Sequence, residues 1–335
     1  MKRIISLLLA LALSLSLAAC AAPAEKADGG KLQIVTTLFP YYDFARAIAQ
    51  DRADVTLLLS PGREAHSFEP TPLDAVTISE ADVFLYNGGE GEYWVESMLD
   101  AAGEHIAVAS RMMDYVDALN EEYVEGMQGT DGPDHDHEHG SHDDHDHDHE
   151  EDEHDSDKVE YDEHIWTSPK NAVVLCRAVC DAICRADAEN AAFYRANCEN
   201  YCAQLEDLDA RFAALCESAP RRLLIFADRF PMLYFCREYG LDYRAAFHGC
   251  SGDTEPSLAT IKFLIDKVEN ENIPVVYTID FGTKKVAAVV SECTGAAIET
   301  IYSMQTVSRA DFDAGETYLT LMERNFEALR KGLSE

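Results

Sequence analysis

Two α/β lobes with parallel sheets, joined by one long helix, are what this sequence predicts. Short β-branched runs alternate with amphipathic stretches on both sides of a central polar tract, the rhythm of parallel βαβ units. A helical pattern over residues 188–217 carries Phe193, Tyr194, Tyr201, Leu205, Leu208, Phe212 and Leu215 at core-facing positions. At about 1.5 Å per residue it spans roughly 45 Å, more than one small domain needs. The chain of 335 residues is also long enough for two domains.

Taken in order, the first lobe covers residues 32–130 and ends over 159–187. It opens with a strand at 32–37 and a helix at 42–50, then a strand at 55–60 and a helix at 74–80. A strand at 82–86, a helix at 94–101 and a strand at 105–109 follow, with His105 read as structural. Ser168-Pro169 starts a helix running to 185, because serine caps free amides and proline's fixed φ suits the first turn. Asp187 caps the connector, assigned to 188–219. The second lobe, 220–335, repeats the rhythm: strand 223–227, helix 231–238, strand 242–247, helix 257–269, strand 275–279, helix 284–294 and a last helix at 314–332.

The amino terminus reads as an export signal. Lys2 and Arg3 precede an apolar run at 4–17, and small residues lead to Cys20. The run is too short for a comfortable membrane span. Leu17-Ala18-Ala19-Cys20 resembles a bacterial lipoprotein signal, which implies removal of 1–19 and lipid modification of Cys20. Residues 20–31 then read as a flexible tether, placing the body outside the cytoplasm on acyl chains.

Between the lobe halves, residues 131–158 form an acidic loop with almost nothing to bury, expected to be disordered. It contains His135, His137, His139, His142, His145, His147, His149 and His154, eight of the chain's twelve histidines, alternating with carboxylates. Neutral imidazole suits zinc, copper and nickel, and clustered carboxylates raise the local cation concentration. A solvated linker gains nothing from that alternation, so the tract points to metal handling. Net charge is −35, of which residues 131–157 supply −14 and the remainder −21. Such an excess argues against nucleic acid, whose binders need basic patches, and favours attraction of cations.

Nine cysteines follow Cys20. Cys176, Cys180 and Cys184 recur every four residues, as do Cys198 and Cys202, so each set lies along one helix face. A soft thiolate site and simple packing of small apolar residues are the two readings, with packing preferred because neither set carries CxxC or an interleaved His. Nine largely free thiols in an exported protein hint at a reducing or anaerobic habitat.

Ligands of parallel α/β sheets gather beyond the carboxyl ends of the strands. There the sequence places His66 after the strand at 55–60, Asp228 after 223–227, and Asp280 after 275–279. His164 stands where the chain leaves the acidic tract. Two imidazoles and two carboxylates from equivalent edges of two lobes can close on one divalent ion.

At these residues the chain resembles the zinc/manganese solute-binding proteins of ABC importers. The likeness is carried by Pro61-Gly62-Arg63-Glu64-Ala65-His66-Ser67-Phe68-Glu69-Pro70, Asp162-Glu163-His164-Ile165-Trp166, Tyr239-Gly240-Leu241 and Glu255-Pro256-Ser257. It runs in order from about 32 to 330. It implies two lobes bridged by a rigid helix, with a metal in the cleft held by His66, His164 and Asp280. Where many zinc members have a third His, this chain reads Phe226-Ala227-Asp228-Arg229-Phe230-Pro231. Arg229 offers no lone pair to a cation, so Asp228 is the preferred third ligand, with His248 as the alternative from a neighbouring loop. Two histidines and two carboxylates would accept Mn2+ or Fe2+ as readily as Zn2+; the His tract tips the choice to zinc.

The expected function is therefore capture of an extracytoplasmic divalent ion by a monomeric lipoprotein and its delivery to an ABC permease. A surface metal buffer or adhesin without transport would use the same site. A zinc hydrolase is a weaker alternative, because it needs an open coordination position and a base, and no HExxH occurs.

Overall fold

A computed structural model describes residues 30–63, 68–103, 106–127, 160–249 and 255–334. The export signal, most of the tether, His66, His105 and the whole His tract lie outside the described residues.

Each lobe is built on a four-stranded, all-parallel sheet, and the two sheets share one topology. In the first lobe β1 (Leu32–Thr36), β2 (Ala53–Leu57), β3 (Val83–Tyr86) and β4 (Val108–Arg111) lie in the order β2-β1-β3-β4. In the second, β5 (Leu223–Phe230), β6 (Asp242–His248), β7 (Val275–Ile279) and β8 (Ala297–Ile301) lie in the order β6-β5-β7-β8. The order reverses between β1 and β3, and again between β5 and β7. Those two reversals open the crevices in which α/β sheets take ligands.

The crossovers of the first lobe are α1 (Phe39–Ala49), α2 (Pro72–Ser79) and α3 (Val95–Ala102). Thr71 caps α2 in a full capping box with Asp74, and Pro72 occupies the first turn. Helix α4 (Pro169–Ala186) starts where Ser168 accepts the Asn171 amide. The connector α5 (Ala191–Ser218) has 28 residues, about 42 Å at 1.5 Å per residue. A short 3-10 turn at Ala188–Asn190, capped by Asp187, precedes it. The second lobe adds α6 (Leu233–Tyr239), α7 (Leu258–Glu271), α8 (Lys285–Thr294), α9 (Arg309–Asp313) and α10 (Tyr318–Ser334).

Two expectations need correction. The strand expected at 223–227 continues to Phe230 through an irregularity between Phe226 and Arg229, because Phe230 stacks on Tyr243 of β6 with ring centroids 3.6 Å apart. Asp228 therefore sits inside the strand's bulge rather than in a loop beyond it. The edge strand β8 and the short α9 were unassigned; β8 is mostly half-buried or exposed and its five residues give little periodicity.

One buried apolar cluster runs from Leu32 to Leu333 and includes both α4 and α5, so the lobes share a core. A second cluster of Ile225, Val276, Leu264 and Val290 fills the space beneath α7 and α8. Asp43 ties three helices together inside the shared core. Its Oδ2 accepts the Tyr201 hydroxyl of α5 at 2.6 Å and the Tyr318 amide of α10 at 3.0 Å. Burial pushes its carboxyl pKa up against those hydrogen bonds. Asp43→Ala strands two buried donors and should lower unfolding free energy by about 2–3 kcal/mol in urea titrations; a loss below ~0.5 kcal/mol would show that the contact braces nothing.

Candidate metal site

Trp166 fixes the centre of the cleft. Its indole N–H donates to the Ser303 carbonyl of the second lobe at 2.8 Å, and the Tyr318 hydroxyl donates to its own carbonyl at 2.6 Å. Two residues earlier the turn presents His164, whose ring sits 5.6 Å from the indole and is almost wholly buried. Thr167 closes the turn by donating both its amide and its hydroxyl to the His164 carbonyl.

Asp162 then sets the tautomer. Its Oδ1 takes the His164 amide at 2.8 Å and lies 3.1 Å from Nδ1. An ionised carboxylate only accepts, so Nδ1 carries the proton and Nε2 keeps the lone pair a cation needs. The Asp162 backbone is anchored by the Tyr234 hydroxyl, 2.8 Å from its carbonyl. Burial works against protonation of His164, but Asp162, Glu163 and Glu121 outweigh it and raise the imidazole pKa.

Asp280 occupies the end of β7. The Ser303 amide donates to its Oδ1 at 3.2 Å, while the Ser303 carbonyl receives Trp166. Trp166 and Asp280 are thus tied to the two backbone polar groups of one residue. Burial pushes the Asp280 carboxyl up to about 6. Ile279, Phe281, Ser303, Gln305 and Thr306 line a narrow cleft together with His164 and Arg229.

The bulge in β5 turns Asp228 elsewhere. Its carboxylate accepts Thr278 Oγ1 at 2.6 Å, the Ile279 amide at 3.3 Å and the Arg229 amide at 2.9 Å. A Cβ at Gly282 would lie 1.8 Å from Asp228 Oδ2, so glycine makes that seat possible. It is Arg229, not Asp228, that lines the cleft. His248, at the end of β6, places Nδ1 2.5 Å from Glu121 Oε2 and its ring against Tyr123. The next residue, Gly249, passes so close to His164 that a Cβ there would lie 3.1 Å from Cε1.

A second narrow cavity shares Glu163 and Gln305 with this neighbourhood and reaches Thr37, Phe68, Asn87, Glu92 and Trp94 beyond β1 and β3. Asn87 accepts the Tyr41 hydroxyl and donates to the Glu163 carbonyl at 3.0 Å. Gly91 donates its amide to Glu163 Oε1 at 2.8 Å. Phe68, which packs on Trp94 at 5.4 Å, is the first described residue after His66. The reversal of the first sheet thus borders the second cavity and that of the second sheet the cleft at His164, with Gln305 lining both. Among the described residues, His164, Asp280, Asp228 and His248 do not gather to within 4.8 Å as any group of three. The sequence reading gave no role to Asp162, Glu121, Ser303 or Arg229. Only the D-x-H spacing could have flagged Asp162; the others come from distant elements.

The chain segments that precede and follow the His tract pair with each other. Asn120 bridges Tyr161 in antiparallel fashion, and the Glu121 amide donates to the Glu160 carbonyl at 2.9 Å.

The model of the family described as zinc-uptake complex component A, periplasmic (ZnuA), matches residues 34–332. The chain is 31% identical to the high-affinity zinc uptake system protein ZnuA of Bacillus subtilis over 308 residues, 91% of this chain and 88% of that one. It is 30% identical to the zinc-binding lipoprotein AdcA of Streptococcus pneumoniae, covering 99% of this chain but only 61% of AdcA. Among solved structures, the Zn(II)-bound ZnuA-like domain of that AdcA superposes with a TM-score of 0.70 at 26% identity, covering 91% of this chain and 100% of the domain. The metal-dependent lipoprotein YcdH of Bacillus subtilis gives 0.72 at 29%, covering 90% of this chain and 100% of YcdH.

Glu92 supplies a pH test of the cleft. Burial raises its pKa from 4.5 to about 7, although the Gly88 amide donates to it at 2.8 Å. The folded state thus holds a proton that the unfolded state releases. Its contribution is full below about pH 4.5 and is lost as pH rises through about 7. The metal-free protein should lose up to about 3 kcal/mol from this group between pH 4.5 and 8. Glu92→Gln should flatten the profile by that amount in denaturant titrations; an unchanged profile would contradict the assignment.

Proposed function

The chain belongs to the family of periplasmic zinc-uptake complex components, and on that premise we propose that it captures zinc between its lobes and surrenders it to an ABC importer. Membership makes it a solute-binding transport component. The observation that carries the proposal for this chain is His164, buried in the interlobe cleft with Asp162 holding Nδ1 and leaving Nε2 for the ion.

In this reading His66, His164 and Asp280 hold the ion. The fourth donor comes from the edge of the second sheet. His248 is favoured over Asp228 there, because Asp228 already accepts three hydrogen bonds at β7 while His248 adjoins the His164 ring through Gly249. The shell would then be rich in imidazole, which suits Zn2+ better than Mn2+ or Fe2+. Asp280, Glu92 and Glu163 are buried acids whose pKa values are raised, so arrival of a dication displaces protons from the neighbourhood.

The His tract collects ions at low affinity; the segments before and after it pair at Asn120 and Tyr161. Its histidines, 135 to 154, act as an auxiliary site. Cys20 carries the lipid that tethers the monomer to the membrane beside its permease. No described helix is long and apolar enough to cross a membrane. The AdcA relatives are longer than this chain, and whatever their remaining length contributes is outside this proposal.

Zinc competition titrations test the assignment. His164→Ala should remove one tight equivalent, and Asp162→Asn should weaken it about 10- to 100-fold by freeing the ring. Deleting 134–157 should remove only weaker equivalents. Loss of the tight equivalent on tract deletion alone, with His164→Ala still binding tightly, would refute the cleft.

A further inference from the structure

Helices α4 and α5 form an antiparallel hairpin, and five thiols line its seam. Cys176, Cys180 and Cys184 face inward from α4, and Cys198 and Cys202 face them from α5; all five are buried. The sulfurs of Cys176, Cys198 and Cys202 lie within 4.8 Å of one another, the only His, Cys, Asp or Glu trio among the described residues to do so. Cys198 and Cys202 are 3.8 Å apart, and Cys180 and Cys184 3.9 Å apart. Thiolates bonded to one metal at about 2.3 Å stand about 3.8–4 Å from each other, a spacing the Cys198–Cys202 edge already has and from which Cys176 is within reach of a small adjustment.

We propose that this seam is a site for a soft d10 ion of the Cu(I) class, ligated by Cys176, Cys198 and Cys202. Three sulfur donors in an apolar setting select a soft ion over the hard cations that carboxylates and waters prefer. Cys198 is the hub: its sulfur lies 3.8 Å from that of Cys202 and 3.7 Å from the Cys176 carbonyl.

A route inward exists. Cys184 lines a surface cavity of about 370 Å³ with Tyr115, Asp181, Arg185 and Arg195. From there Cys180 is the next sulfur, and Cys180 in turn neighbours Cys198. An ion can pass by thiol exchange along that row. Binding releases thiol protons to solvent and leaves the oxidation state of copper and sulfur unchanged. The three thiols come from α4 and α5, and none of them lines the cleft at His164.

The test uses the full chain, reduced and anaerobic, titrated with Cu(I) against a chelating competitor and followed by copper X-ray absorption. One tight equivalent with sulfur-only neighbours is expected. Cys198→Ala should weaken it at least about 100-fold, while Cys236→Ala, a buried thiol outside the seam, should leave it intact. A first shell of nitrogen or oxygen, which the His tract would give, or undiminished binding by folded Cys198→Ala, would overturn the proposal. Should Cys198→Ala not fold, the neighbours of copper in the unaltered chain decide the matter.

Discussion

The seat of Trp166 is the constraint on which the cleft depends. The indole and the carbonyl of one residue are both committed to the second lobe, through Ser303 and Tyr318, while its chain neighbours belong to the first. Buried hydrogen bonds of this kind are expensive to leave unmade, so the lobes cannot part here without stranding several polar groups. His164 inherits its position from this residue. So does Asp280, because Ser303 reaches it through the amide while giving its carbonyl to Trp166. Asp43, joined to α5 and α10, repeats the device deeper in the shared core. A stiff frame of this sort lets a ligand shell be set by fixed turns, with adjustment left to loops.

The electrostatics of the cleft suit a cargo that must be both bound and released. Buried acids around it are held near neutral protonation, and His164 is biased towards the proton by the acids facing it. Protons therefore compete directly with a dication. Asp162 restrains that competition geometrically, since it dictates which ring nitrogen is free. Arg229 places a permanent positive charge on the cleft wall where a soft ligand would otherwise be expected, which narrows the donors to those of the remaining edges.

Much of the frame was legible in the sequence because its signals are local. Ser168-Pro169 marks the start of α4, Asp187 caps the turn before α5, and the apolar positions from Tyr194 to Leu215 give the connector. The site was legible only in part. His164 and Asp280 stand next to strong local patterns; His164 lines the cleft, and Asp280 accepts the amide of Ser303 in its wall. Asp228 was placed beyond a strand that in fact runs on to Phe230, because stacking on Tyr243 lies a dozen residues away and leaves no mark on local periodicity. Ser303 escaped notice because β8, the weakly patterned edge strand before it, did too. The cysteine rows were seen as faces of single helices; that the faces meet follows only from the hairpin.

Zinc-edge anomalous diffraction from crystals of the full chain, purified without chelators, tests the central claim most directly. A single strong peak between the lobes, about 2.0–2.2 Å from His164 Nε2 and from an Asp280 oxygen, is the predicted result. Zinc located only along residues 134–157, with that space between the lobes holding none, would contradict it.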